Sequence, residues 1–208
     1  MKRHCTASDS AVIAAVMAIS LLVSGIFAAV SSERHIENSL VRLHILANSD
    51  SETDQQLKLM VRDAVLASSE ELFAPYSSSE EAEEALSAQL DRIKAIADNT
   101  LEENGCGDRT VCEMTSMDID RREYGNYTVP AGRYTALRIT IGEGKGHNWW
   151  CVMYPPLCVP CAGVDMTDEE IMEKYGGELT DEDIELLTEE GYKPKLYIAE
   201  LIGRLLEE

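Results

Sequence analysis

Positive charge is what this 208-residue sequence has least of: 18 lysines and arginines stand against 38 aspartates and glutamates, a formal net charge of −20. That balance excludes nucleic-acid binding, which needs a cationic surface, and it would repel anionic lipid headgroups. The common catalytic signatures are missing as well. There is no GxSxG and no HExxH, and the loop GEGKGHN (142–148) lacks the Ser or Thr that a phosphate-binding loop carries after Gly-Lys. Cys158 and Cys161 have CxxC spacing, but no second CxxC or HxxxH completes a zinc set. Pro160 lies between them and no helical periodicity follows, unlike a thioredoxin-type site. His44 or His147 with Ser49 or Cys151, and the pair Asp118 and Asp120, make nominal catalytic combinations of a kind any chain of this size offers. The sequence therefore assigns no catalytic residue, no metal and no cofactor.

Charge of either sign is absent between Ser10 and Ser32. Within that gap AVIAAVMAISLLVSGIFAAV (11–30) is twenty residues long, enough to cross the roughly 30 Å apolar core of a bilayer as a helix. Lys2 and Arg3 precede it and an acidic body follows, which places the body outside the cytoplasm. The length suits an anchor, whereas small residues at Ala28, Ala29 and Ser31 suit cleavage, so residues 1–32 are expected to be a signal peptide or a membrane anchor. Residues 33–208 then form one extracytoplasmic domain, long enough for a core of its own. Setting aside Lys2, Arg3 and Asp9 leaves 16 basic and 37 acidic residues, a net charge of −21. Asp165 to Glu190 holds twelve acids with Lys174 as its one base, and reads as an acidic insert of solvated helices.

Five cysteines follow the apolar run, at 106, 112, 151, 158 and 161. Disulfides persist outside the cytoplasm, and an odd number leaves one thiol free or joined to another chain. Cys151 and Cys158 flank Pro155-Pro156, so a turn there would let them close a local clamp.

In SLVRLHILANSDS (39–51), Val41, Leu43, Ile45 and Ala47 alternate as on a half-buried strand, with Arg42 and His44 projecting from the opposite face. Asn48 to Ser51 reads as a turn, with Ser51 and Asp54 in capping-box spacing. A helix stripe of Leu57, Met60, Val61, Ala64, Val65 and Leu72 follows, ended by Pro75. Ser78 with Glu81 opens a second helix, carrying Ala82, Leu86, Leu90, Ile93, Ala97 and Leu101 to a stop at Gly105. Strand patterns cover Thr110–Met117 and Arg133–Ile141, the latter with Leu137, Ile139 and Ile141 opposite Arg138 and Thr140. GEGKGHN reads as a mobile hairpin loop, its glycines also suiting an anion-binding nest, and NWWCVMY as the return strand ended by the two prolines. TDEEI (167–171) and TDEDI (180–184) are near-copies that look like capped helix starts, and KLYIAELIGRLLEE closes the chain as an amphipathic helix. The order β-α-α-β-β-β-α predicts an α+β domain, a small and mostly antiparallel sheet packed against helices.

The tract from Pro130 to Cys158 holds both tryptophans and three of the six prolines. Adjacent strand residues face opposite sides. Either Trp149 and Trp150 are both buried, or one points outward and anchors a partner, as tryptophan does at binding hot spots.

Two blocks, LVRLHILANSDSETDQQLKLMVRDAVL (40–66) and YTVPAGRYTALRITIGEGKGHNWWCVMYPPLC (127–158), together with the closing amphipathic helix, resemble the stage II sporulation protein R family of endospore-forming bacteria. The resemblance implies a signal made in the forespore and exported to the space between the two membranes. There it would activate a membrane-embedded aspartic protease of the mother cell, which cleaves the mother-cell sigma factor precursor. Residues that recur in the family correspond here to Arg42, His44, Asn48, Asp50, Gly144, Asn148, Trp149, Trp150, Cys151, Pro155, Pro156 and Cys158, and the resemblance assigns no catalytic role to any of them. The acidic insert and Cys106, Cys112 and Cys161 depart from the pattern. The expected contact surface is the face holding Arg42 and His44 together with the GEGKGHNWW hairpin, and the membrane is met only through the N-terminal segment. The alternative is an extracytoplasmic enzyme acting on cell wall or thiols; a blander one is a structural envelope domain.

Overall fold

The computed structural model describes residues 7–68, 76–124, 127–155 and 178–187, with backbone alone at 7–11, 22, 26 and 28–30. Helix α1 spans Ala7–Ser39 and runs without a break through the boundary expected at residue 32. Its apolar side chains stand in the open, from Val23 at 47% to Leu21 at 73% exposure, because nothing in the described fold packs against them. Among the described residues no helix is long and apolar enough to cross a membrane. The last turns of α1 belong to the domain, with Ile36 fully buried.

One residue later β1 begins (Val41–Leu46). Ser51 then caps α2 (Glu52–Ala67), its side chain accepting the Asp54 N–H as the capping spacing predicts. The reciprocal half of the box is not made, since the Asp54 carboxylate turns back to Asn48 and Ser49. Leu57, Val61, Val65 and Leu66 form the buried stripe, while Met60, expected on it, is 42% exposed. Leu72 and Pro75 lie outside the described residues. The second expected helix is two: α3 (Ser79–Ala88) and α4 (Leu90–Glu103). Gln89 leaves helical geometry between them at φ −109°, ψ 8°, although no glycine or proline marks the site. Ala82, Leu86, Ile93, Ala97 and Leu101 all stay buried across the break. Gly105, at φ 74°, stops α4. The N–H groups of Gly105 and Cys106 return to the carbonyls of Glu102 and Leu101, which satisfies the helix end.

The remaining strands are β2 (Thr110–Ile119), β3 (Arg122–Tyr124), β4 (Tyr127–Val129), β5 (Gly132–Ile141) and β6 (Asn148–Tyr154), followed by α5 (Asp181–Leu187). The fold is α+β, with a mixed four-stranded sheet in the order β2-β5-β1-β6 and a separate β3-β4 pair. Strand β1 runs parallel to β5 and antiparallel to β6, and β2 is antiparallel to β5. Strands β5 and β6 are thus not a hairpin: β1 lies between them, and residues 142–147 cross over its end. That crossing is two strand spacings, roughly 10 Å, well within the reach of six residues.

A central strand is covered on both faces. One face carries Leu43, Ile45, Leu137 and Ile139 against α2, α3 and α4. The other packs Tyr134 and Val152 against Ile36, Leu40, Tyr127, Val129, Leu179 and Leu187. Arg42 and His44 do project opposite Leu43 and Ile45, but they are buried there, at 0% and 4% exposure. Both side chains therefore lie inside the second face and not on its surface. In the acidic insert, Thr180 and Asp183 cap α5 as TDEDI predicts. This helix is not simply solvated, since Leu187 is buried and Asp183 pairs with His35. TDEEI and the closing helix lie outside the described residues.

Candidate functional site

The two sequence blocks meet where β1 ends. The 142–147 loop lies across the Ala47–Ser51 turn, and Lys145 and Gly146 donate their N–H groups to the carbonyls of Asn48 and Ala47. Asn48 Oδ1 accepts the Glu143 N–H at 3.0 Å, and Asp50 accepts both the N–H and Nδ1 of His147. Lys58, reaching up from α2, donates to the His147 carbonyl at 3.0 Å and to Gln55, whose amide holds the Ser49 carbonyl. The glycines are what let the two segments touch. A Cβ on Gly146 would fall 2.2 Å from the Ser49 carbonyl oxygen, and one on Gly142 2.4 Å from Asn48 Oδ1. Gly142 and Gly144 also sit at φ 55° and 61°, where side-chain-bearing residues are strained. The loop read as a mobile hairpin is a clasp pinned at both ends, and its N–H groups are spent on Asn48, Asp50, Ala47, Arg109 and Ile141 instead of forming an open anion nest.

Electrostatics follow from these bonds. The His147 backbone N–H, then its side chain, holds the Asp50 carboxyl below the usual range, and the Ser49 hydroxyl does the same first for Asp54. Burial lowers the Lys58 ammonium from its ordinary value.

Behind the clasp, the second sheet face carries a polar cluster. Register places Trp150 (β6), His44 (β1), Arg138 (β5) and Glu113 (β2) in one row across the sheet. Trp150 stacks on His44 with ring centroids 3.7 Å apart and planes 2° from parallel. His44 Nε2 meets Asn148 Oδ1 at 3.1 Å, and Arg138 pairs with Glu113 at 2.6 Å. Burial first, with the Arg138 charge adding to it and the Asn148 bond opposing it, lowers the His44 pKa from its ordinary value.

One row further in, Arg42 lies between Tyr124 and Tyr134. It donates to the Cys151 carbonyl at 3.0 Å and the Tyr124 hydroxyl at 2.6 Å. Among the described residues no carboxylate pairs with it, which is costly for a charge at 0% exposure.

The tryptophans divide between the faces as strand geometry requires. Trp149 packs on the first core beneath Arg62, whose guanidinium carbon is 4.4 Å from the ring centroid, and Trp150 on the second. Both remain partly exposed. Pro155 is buried, whereas Pro156 and Cys158 lie outside the described residues. Cys151 is buried and disulfide-bonded, while Cys106 and Cys112 are free. Sequence reasoning passed over Lys58, which hides on the helix stripe beside Leu57. It also missed Tyr124, and the part of Arg138 in the His44 row, since pairing across β5-β1-β6 leaves no local signal. No group of three or more potential metal ligands occurs among the described residues. A cleft lined by Arg34, Glu80, Arg133 and Glu178 contains none of the candidate residues.

A family model described as stage II sporulation protein R matches residues 37–163, a span that takes in β1, the clasp and both tryptophans. Stage II sporulation protein R of Bacillus subtilis (strain 168) is 40% identical over 150 residues, covering 67% of this chain and 67% of that protein. No solved structure matches. The matched span contains both sequence blocks that the fold brings together, and the chain belongs to the stage II sporulation protein R family.

Proposed function

We propose that this chain is an exported sporulation signal. It is secreted across, or anchored in, the forespore membrane by residues 1–32, and its domain faces the intermembrane space. There it binds a membrane-embedded aspartic protease of the mother cell and activates it, so that the mother-cell sigma factor precursor is processed. Membership of the family carries this reading. The uncharged stretch from Ser10 to Ser32 supports export. A binding role also suits a site rich in recognition groups, in which no nucleophile, base and oxyanion donor are assembled among the described residues. A ligand of this kind works by binding the active conformation or assembly of the protease more tightly than the idle one. In the same reading Cys151 is joined to Cys158, closing a clamp around the two prolines.

Co-expression of the full chain, the protease and the sigma factor precursor in a non-sporulating bacterium tests the proposal, with precursor size followed on a gel. Cleavage should appear only when this chain is present and exported. Cleavage without it, or none when all three proteins are folded and correctly located, overturns the reading.

A further inference from the structure

Strand β2 is one edge of the four-stranded sheet. Which of its backbone groups face outward follows from the ladder. One pair beyond Thr110↔Ile141, the Gly142 N–H donates to the Arg109 carbonyl at 3.0 Å. Groups alternate sides along an antiparallel strand, so Val111, Glu113, Thr115 and Met117 bond toward β5. Cys112, Met114, Ser116 and Asp118 turn their N–H and C=O groups the other way. Thr110 shares that outward parity, and its N–H does leave the sheet, donating to Asp98 Oδ1 at 2.7 Å. Among the described residues no hydrogen bond reaches the outward backbone groups of Cys112, Met114, Ser116 and Asp118.

Natural edges are blunted by proline, lysine, bulges or shortness. Strand β2 is ten residues long, TVCEMTSMDI, and has neither proline nor lysine. Its register against β5 runs unshifted from Thr110 to Ile119. The edge is also reachable: Val111 is 58% exposed, and Ser116 and Asp118 are exposed as well.

Charge says what kind of strand it accepts. The two charged residues of β2, Glu113 and Asp118, are both acids. The row through Trp150, His44 and Arg138 ends on Glu113, so a further strand would set a side chain beside that carboxylate. Glu113 holds Arg138 through Oε1, which leaves Oε2 for an incoming cation. A chain of net charge −20 repels a second copy of itself and attracts a basic segment.

We infer that β2 takes up an extended basic segment of the protein partner as a further strand of the sheet. The inference deepens the proposed function and rests on its reading of the chain as a protein that binds and activates another. Backbone bonds to Cys112, Met114, Ser116 and Asp118 supply the affinity, and side chains set the choice. A lysine or arginine lies beside Glu113. Two residues along on the same face, an apolar side chain covers Val111.

Amide hydrogen exchange, followed by NMR on the full chain in detergent micelles, reads the edge residue by residue. In the free chain the Val111, Glu113, Thr115 and Met117 amides should be protected, and those of Cys112, Met114, Ser116 and Asp118 should exchange fast. The probe is the peptide acetyl-Thr-Lys-Thr-Val-Thr-Lys-Thr-amide, whose symmetry suits either strand direction. With a dissociation constant on the order of 1 mM, about 10 mM peptide should slow the second set about tenfold. The same peptide with every backbone nitrogen methylated should slow nothing. Glu113→Gln should weaken binding about threefold. Ser116→Pro, tolerated where the N–H faces solvent, should abolish the response, while protection at Val111 and Glu113 in the same spectra shows that the variant is folded.

Protection of the second set in the free chain means that the edge is already filled, and overturns the inference. Protection that rises with protein concentration alone assigns the edge to a second copy and overturns it too. So does a peptide that slows nothing, or an equal response to the methylated form. In the co-expression experiment Ser116→Pro should leave the precursor intact where the parent cleaves it, and cleavage at the parental level would remove the edge from the contact. The exchange measurements contain no protease, so their failure and a failure of the parent chain to trigger cleavage are separate results.

Discussion

Asn48 Oδ1 accepts the Glu143 N–H at 3.0 Å, and a Cβ on Gly142 would lie 2.4 Å from that same oxygen. The two segments can join only because the second offers backbone without a side chain at that point. Gly142→Ala and Gly146→Ala should each destabilise the fold by about 1–3 kcal/mol, through overpacking and, at 142, a strained φ. Asn48→Ala should cost about 1–2 kcal/mol through the lost bonds to Glu143 and Asp54. Urea denaturation reads all three; unchanged midpoints would mean that the clasp does not hold the loop.

Arg42 should tolerate an apolar replacement better than a small one. A buried charge without a carboxylate partner is a weak source of stability, so Arg42→Met should stay within about 1 kcal/mol of the parent. Arg42→Ala opens a cavity between Tyr124 and Tyr134 and should cost about 2–4 kcal/mol. Equal losses from both would show that the guanidinium itself holds the second core together.

The lowered pKa of His44 has a definite sign for stability. The folded state favours the neutral ring, so its contribution is complete above the unfolded value of about 6.5 and is lost as pH falls through the folded pKa. The His44 ring protons should therefore titrate in NMR below the ordinary histidine range, and the thermal midpoint should fall as pH drops from 7 to 5. A titration at or above 6.5 would contradict the burial of this ring.

Burial pushes the Cys112 thiol up to about 11, which leaves about one thiolate in a thousand at pH 8. Iodoacetamide should spare Cys112 in the folded chain and modify it once the chain is unfolded, as peptide mass spectrometry would show. Rapid labelling of folded protein would mean that the outer edge of β2 opens freely. Non-reducing peptide maps of the same material should recover Cys151 joined to Cys158. A Cys151–Cys161 peptide would remove the two-proline clamp.

Much of the architecture was legible because its causes are local. Ser51 and Ser78 cap helices where their spacing places them, Gly105 stops α4, and Asn148–Tyr154 is the strand that NWWCVMY suggests. The helix break at Gln89 and the outward turn of Met60 were not legible, because the stripe around each reads equally well as one continuous face.

The site divides along the same line. The sequence by itself determined which residues alternate on β1 and that glycine-rich and tryptophan-bearing segments follow β5, since these depend on neighbours two to four positions away. Only the tertiary structure decided that β1 enters between β5 and β6. That single non-local choice turns an apparent hairpin into a clasp and covers the outward face of β1. It buries Arg42 and His44 and sets His44 between Trp150 and Arg138. Strand order is settled by which faces can be buried together, a property of the assembled sheet that no strand's own periodicity contains.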